Sequence, residues 1–524
     1  MLKKIGLLIN TVRYLKPIQV FYQIFYRLKP LKNLQFYIDE ETSPSQINFL
    51  HFDGKAFPKT SVAEDGKFEF LNLTQSFTVD VDWDFQGYGK LWNYNLQYFN
   101  FLNESSLSTQ IKLHWLNDIG SWLKTGRLKL EPYPVSLRII NMIRFCSLEK
   151  IDDTTIIEEV KGQGNYLSKH LEYHLLGNHL LENAFALLMS GYFFKESKWT
   201  NKAKSILYRQ LDEQILNDGC HFELSPMYHQ IILFRMLELV DWYSKINDDP
   251  KFLNFLKLKV GRMCSFLKEL TFSNGDIPHF NDSADNITLR SEQLFEYAGK
   301  LGVSNFVSVG LKNSGYRTFN HPKYKCIVDV GEIGPSYQPG HGHSDALAFI
   351  LYYKNQPLIV DVGTSTYQIG KIRSYERSTA AHNTVVIADT NQSQVWGGFR
   401  VGKRAVVNIT EDNDCTLTAS HNGYLSNFGI LHRRSFVFSE SAILIQDDIE
   451  NEAGEANFHF HPDCSLLVVN SEVILVHLNL TLSFDSAKSV NLEEYQYANG
   501  FNEYKLAQKV VVKFEKKLNS TIKF

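Results

Sequence analysis

HGHSDALAFILYYKNQPLIVDVGTSTYQIGKIRSYERSTAAHNTV, residues 341–385, decides how the chain reads. Short apolar runs alternate here with turn-forming residues, which is the pattern of strands rather than helices. Three side chains able to bind a metal stand beside those runs: His343 before ALAFILYY, Asp361 in PLIVDVG and His382 before NTVVI. Neutral imidazole and carboxylate suit zinc, and three protein ligands plus one more complete a tetrahedron. Side chains alternate faces in extended chain, so His341 and His343 point the same way, about 7 Å apart at their Cα atoms. One can then hold a metal while the other faces a cleft. On the residues alone, ordinary hydrogen-bonded histidines explain the stretch equally well.

Beyond Lys312 the period of two continues. KYKCIVDVGEIG, RAVVNITED, RRSFVFSE, SAILIQDDIE and KVVVKFEKK read as short strands split by polar turns, which predicts an antiparallel β-sandwich. Before it, from about residue 106 to 310, apolar residues recur every three or four positions, as in STQIKLHWLNDIGSWLKTG and SPMYHQIILFRMLELVDWYSKI. No strands alternate with these helices, which disfavours a βαβ arrangement. Antiparallel helix pairs fit a bundle or a toroid of hairpins, and no fixed-period repeat chooses between them. The expected organisation is multidomain α+β, with a cap segment over 1–85, a helical domain over 86–311 and a β-sandwich over 312–524. The cap is expected to start helical and to be polar and strand-poor through DEETSPSQ and DGKAFPKTSVAEDGKFEFLN.

A chain of 524 residues exceeds what one hydrophobic core supports. With 44% hydrophobic and 21% charged residues its composition is that of a soluble globular protein. The net charge of −3 offers no global field to nucleic acid, so an anionic substrate must meet local basic residues. Six scattered cysteines without a C-x-x-C pair argue against a disulfide framework and a thiolate zinc site. The opening MLKKIGLLINTVRYLKPIQVFYQIFYRLKP has the positive start of a leader peptide, but its apolar stretch is short and no small-residue cleavage site follows. It reads as an amphipathic segment lying on the protein body or a membrane surface. No run is long enough for a transmembrane helix.

Polar groups interrupt the apolar helix HLLGNHLLENAFALL: Asn178 and Glu182 share one face, His179 and Asn183 the next. Such a cluster is either a buried hydrogen-bond network or a row of donors facing a cleft. In GCHFELSPMYHQ, Ser225 suits the N-cap and Pro226 the first helical position, so Tyr228 falls in the first turn, where the helix dipole would ease phenolate formation. The loop NGDIPHFNDSAD, with His279, Asn281 and Asp282, reads better as structural. Trp83, Trp92, Asn95 and Tyr98 are core or the border of a sugar-binding cleft, since aromatic rings pack against sugar faces. Lys371, Arg373, Arg377, Arg400, Lys403 and Arg404 form a basic cluster, and arginine grips carboxylates with paired hydrogen bonds.

Taken together, LWNYNLQYF (91–99), EPYPVSLRIIN (131–141), GNHLLENAFALL (177–188), FELSPMYHQ (222–230), HGHSDALAFIL (341–351) and YERSTAAHNTV (375–385) resemble the heparinase II/III-like family of polysaccharide lyases. The likeness runs from about residue 80 to the last strands, through NH-x-x-E-N, S-x-x-YH, HGH-x-D and AHNTV in that order. It implies an (α/α) toroid, then an antiparallel β-sandwich, and a cleft between them where a uronic-acid-containing polysaccharide undergoes β-elimination. The C5 proton of a uronate is weakly acidic beside a negative carboxylate, which a hydrogen-bonding group must offset before a base can act.

By the resemblance, Asn178 contacts that carboxylate with His179 beside it, and Tyr228 is the general acid or base. His341 and Tyr367 complete the catalytic set, one of them taking the proton. Glu182 orients the cluster or the substrate, and Arg373 and Arg377 contact substrate. His343, Asp361 and His382 match the ligands of a structural zinc that fixes the loop carrying His341. The implied partner is an acidic polysaccharide. The opening KPIQVFYQIFYRLKP resembles relatives that accompany polysaccharide-assembly machinery, implying action on a nascent capsule or exopolysaccharide. The implied location is the cell envelope or periplasm, with the cytoplasm as the alternative because no clean leader is seen. Two other readings stay open: a catalytically silent glycan-binding protein of the same fold, and metal-dependent hydrolysis through the H-x-H pair.

Overall fold

The computed structural model describes residues 2–30, 32–40, 46–54, 57–58, 61–63, 65–77, 80–246, 248–304, 306 and 310–524. Helices α1 (Leu2–Val12), α2 (Pro17–Leu28) and α3 (Leu34–Asp39) come first, followed by a meander of β1 (Ser61–Ala63), β2 (Lys67–Phe70) and β3 (Leu73–Ser76). Then come α4 (Lys90–Tyr98), α5 (Thr109–Thr125), α6 (Pro132–Glu149), α7 (Thr154–Lys169), α8 (Gly177–Phe193) and α9 (Ser197–Gln214). The series ends with α10 (Pro226–Ser244), α11 (Pro250–Leu270) and α12 (Ser291–Lys300).

Helix starts follow the local chemistry. Ser108, Asp153, Ser225 and Asp249 each accept a hydrogen bond from a backbone N–H in the first turn, and proline opens α6, α10 and α11. α6, α8 and α10 are buried on nearly every face, while α9 and α11 bury a single stripe. Outer helices therefore lie over inner ones, and α8 packs on both α6 and α9.

The strand-poor middle expected of the cap is corrected by β1–β3; other parts of that stretch (41–45, 55–56, 59–60 and 64) lie outside the described residues. Leu71 and Asn72 both take positive φ, giving the tight hairpin between β2 and β3, a conformation that leucine does not announce. Phe68 and Phe70 then pack on Trp115 and Trp92, so the meander shares the helical core.

After α12 the chain is antiparallel sheet. Four strands, β4 (Tyr316–Asn320), β5 (Tyr324–Asp329), β6 (Phe349–Tyr353) and β7 (Gln356–Ile359), pair in sequence order. A nine-stranded sheet is built around the long strands Ala442–His459, Leu480–Gly500 and Glu503–Lys523. The smaller sheet is buried on both sides. Cys326, Val328, Phe349 and Leu351 pack toward the larger sheet, making the sandwich core. Their neighbours Ile327, Ile350 and Tyr352 pack toward Phe266, Leu270 and Phe272 of the helical half. The period of two thus serves two different cores at once.

Arg434, on the strand His432–Phe438, ties the sandwich to the loops that carry the site. It is 1% exposed and grips Asp447 with two hydrogen bonds of 2.7 and 3.0 Å. It also donates to the carbonyls of Leu347 and Asn383 at 2.9 and 2.7 Å. Arg434→Met is expected to lower unfolding free energy by about 3–5 kcal/mol, because Asp447 loses its buried counter-charge. A urea midpoint unchanged from the parent would contradict this.

Candidate active site

The helical wall of the site is set by a backbone turn. Leu176 (φ 63°) and Gly177 (φ 56°) both sit in the left-handed region immediately before Asn178. A Cβ at Gly177 would approach Glu223 Oε1 to 2.9 Å, so the turn depends on the missing side chain. Asn178 donates its backbone N–H to that oxygen at 3.4 Å, and its side-chain amide has no protein partner among the described residues. His179 stacks on Tyr133 with ring centroids 4.6 Å apart and bonds through Nδ1 to Glu172 at 3.1 Å. Burial pulls the His179 pKa down, but the Glu172 carboxylate more than reverses this and leaves it above the ordinary value. Glu182 is 1% exposed and accepts from Arg235 Nε at 3.1 Å, so it braces the wall instead of facing the cleft.

Tyr228 rises from the start of α10, where Ser225 Oγ accepts from its N–H at 3.1 Å, as the cap reading requires. Its ring lies on His341 with centroids 3.9 Å apart, and its hydroxyl is 3.2 Å from that of Tyr367. Burial, then Tyr367, Asp282 and Glu223, push the Tyr228 phenol well above its ordinary pKa. The expectation of an eased phenolate is therefore corrected: low dielectric and nearby carboxylates outweigh the helix dipole, and the phenol keeps its proton.

His341 and His343 point the same way, as the alternation implied, but toward a shared carboxylate. Asp282, fully buried, bonds to His341 Nδ1 and His343 Nε2 at 2.9 Å each. Burial would raise the Asp282 pKa, but the Arg373 guanidinium and the two histidines hold it well below the carboxylate range. Asp282 engages His341 at Nδ1, while the other ring nitrogen, Nε2, lies 3.9 Å from Glu223.

Both arginines expected at the substrate are turned inward. Arg373, 1% exposed, donates to Asp282 at 2.7 Å and to the Gly398 carbonyl at 3.1 Å. Arg377, also 1% exposed, donates to the Gly342 carbonyl at 2.8 Å and so pins the chain between the two histidines. Trp83 and Trp92 are wholly buried, which makes them core and not a cleft border. The aromatic lining comes instead from Tyr88, Tyr94, Tyr367 and Phe399, around a cavity of about 250 Å³ that also includes Lys90.

His382 Nδ1 is 2.7 Å from Asp361, and the His343 and His382 rings are 5.3 Å apart. Among the described residues no three His, Cys, Asp or Glu side chains are arrayed as a metal cradle. The donor types suit zinc: His343 Nδ1 and His382 Nε2 are buried without a partner, while Asp361 bonds the other ring nitrogen of His382. Sequence reasoning missed Glu223, which stands between Asn178 and His341, and it favoured a structural role for the Asp282 loop. Glu223 lay inside the FELSPMYHQ stretch, where Tyr228 held the attention.

Residues 139–299 match the family description "Heparinase II/III N-terminus", and residues 306–524 match "Heparinase II/III-like, C-terminal". A heparin-sulfate lyase of Bacteroides stercoris is 26% identical over 326 residues, 55% of this chain and 46% of that protein. Another, of Pedobacter heparinus, is 29% identical over 322 residues, 56% of this chain and 46% of that protein. The chain thus spans about half the length of the curated relatives it matches. Among solved structures, heparinase III aligns at TM-score 0.68 with 17% identity, covering 93% of this chain and 88% of that one. A heparan sulfate lyase HepC mutant from Pedobacter heparinus aligns at TM-score 0.61 with 18% identity, covering 94% and 87%. These two show a shared fold.

Burial raises the Glu223 pKa. A carboxyl that binds its proton more tightly when folded costs stability as pH rises from its unfolded value, about 4.3, through its folded one. Glu223→Gln cannot ionise, so its melting temperature relative to the parent should climb over that interval and then level off. A difference independent of pH would show that Glu223 is not held as the acid.

Proposed function

The chain belongs to the heparinase II/III-like family, and from that premise we propose that it is a lyase that cleaves uronate-bearing polysaccharides by β-elimination. One observation carries the reading: the Tyr228 and His341 rings lie with centroids 3.9 Å apart, and Glu223, 3.9 Å from His341 Nε2, accepts the backbone N–H of Asn178. The Asn178 amide, with His179 and Glu223 beside it, offsets the uronate carboxylate, which makes the C5 proton removable. His341 Nε2 takes that proton, and Asp282 steadies the imidazolium that forms. As the C5–H bond breaks, its electrons form the C4–C5 double bond and expel the C4 oxygen, which Tyr228 protonates. After the product leaves, His341 Nε2 loses its proton to solvent and Tyr228, whose hydroxyl is hydrogen-bonded to that of Tyr367, takes one back, which restores both groups.

The heparin-sulfate lyases that match this chain support an acidic glycan substrate. Arg373 and Arg377 are turned to protein partners and only Lys371, Arg400 and Lys403 of that basic cluster are exposed, which favours a uronate polymer with few sulfates, as in a capsule or exopolysaccharide. The elimination product carries a double bond conjugated to the carboxylate and absorbs in the ultraviolet. On a panel of alginate, glucuronan and glycosaminoglycans, absorbance should grow fastest on an unsulfated member; silence on every polymer would leave a glycan-binding protein. Tyr228→Phe should keep the fold and lose about 10²–10⁴-fold in turnover, the worth of a positioned proton donor. Near-parental rates in that variant would remove Tyr228 from the mechanism.

We propose further that His343, Asp361 and His382 hold a structural zinc ion, supported by the two imidazole nitrogens left without partners. The ion would supply a fixed positive charge behind the loop that carries His341. Purified protein should contain about one zinc per chain, and chelation should lower its melting temperature. Metal-free protein that melts at the same temperature would overturn this.

A further inference from the structure

The first two helices carry their polarity inside out. α1 meets the β half through polar groups: Asn10 Nδ2 donates to Gln394 Oε1 at 3.1 Å, and Thr11 Oγ1 accepts from Trp396 Nε1 at 3.2 Å. α2 meets the helical half in the same way. Gln19, 1% exposed, donates to the Leu175 carbonyl at 3.2 Å, and the Tyr26 hydroxyl donates to Leu171 O at 2.7 Å. The opposite faces are apolar and open. On α1, Ile5, Leu8, Ile9 and Val12 form one stripe, 45–61% exposed. On α2, Phe21, Ile24, Phe25 and Leu28 repeat the same spacing, with Leu28 at 79%. A helix packed on a globular body in water carries the reverse phase. Ten of the 28 exposed large hydrophobics among the described residues fall between residues 5 and 28, which makes a concentrated patch and not the usual scatter.

Charge identifies what covers it. Residues 2–38 contain seven Lys and Arg and no Asp or Glu, in a chain whose net charge is −3. Lys4, Arg13, Arg27 and Lys32 are exposed, while Lys16 is paired with Glu213. A second copy of the chain would bring the same positive charges against these, and repulsion opposes that pairing. An anionic bilayer offers acyl chains to the stripes and negative headgroups to the lysines and arginines. We infer that α1 and α2 dock the protein in the plane of an anionic lipid surface. No helix among the described residues is long and apolar enough to cross a membrane, so the docking is peripheral. The hold is close to the cleft, since Leu175, bonded to Gln19, precedes Asn178 by three residues and Gln19 also reaches Gln338 at 3.4 Å. The inference is independent of the lyase reading.

The test is co-sedimentation of the full chain with phosphatidylcholine vesicles, with and without phosphatidylglycerol. The parent protein should bind the phosphatidylglycerol vesicles about tenfold or more tightly than phosphatidylcholine alone, and less so as salt is raised. A triple variant Ile9→Asp, Phe21→Asp, Ile24→Asp should lose vesicle binding with its melting temperature unchanged, because those side chains make no core. A second variant, Lys4→Glu, Arg13→Glu, Arg27→Glu, leaves the stripes whole and should lose the preference for phosphatidylglycerol. No binding by the parent at low salt, or equal binding by both variants, overturns the inference. So does a parent dimer in sedimentation that the aspartate variant dissociates, since the stripes would then belong to a second copy.

Discussion

One carboxylate holds the site together. Asp282 receives His341, His343 and Arg373 at once, and it is wholly buried. A buried charge is tolerable only when fully compensated, so each partner is fixed by the others' need. Arg377 adds a second restraint on the same loop by gripping the carbonyl between the two histidines. Ring placement at His341, and through it the stack with Tyr228, follows from that arrangement.

The composition of the wall shows how electrostatics were divided. The phenol and the Glu223 carboxyl are pushed toward their neutral forms by burial, while Asp282 is driven to its ionised form by a guanidinium. Three acidic groups within one cluster are thus pushed in different directions because their surroundings differ.

Much of this was readable beforehand. The change of hydrophobic period separates helices from strands, and Ser225-Pro226 placed Tyr228 at a helix start. The ordered motifs contained Asn178, Tyr228 and His341, and the family resemblance added Tyr367, whose hydroxyl lies 3.2 Å from that of Tyr228. What could not be read lies in backbone and burial. Leu176, Leu224 and Asn281 take positive φ just before Gly177, Ser225 and Asp282, and nothing in leucine signals a left-handed turn. Such strain tends to collect where function needs a fixed geometry. Arginines next to a histidine motif look like substrate clamps, yet Arg373 and Arg377 are internal struts, since a sequence does not tell which way a long side chain points. The N-terminal helices were legible as amphipathic, but only the folded chain shows which face is outward.

The smaller sheet has no face to spare. Its strands give alternate residues to the sandwich and to the helices, and Tyr352 lies flat on Phe272 with ring centroids 3.6 Å apart. Parting the halves would wet Ile327, Ile350 and Tyr352 together with their partners, so hinge-like breathing at this junction is penalised. The relative placing of the two halves is therefore built into the same strands that close both cores, and whatever enters between them meets walls of settled contour.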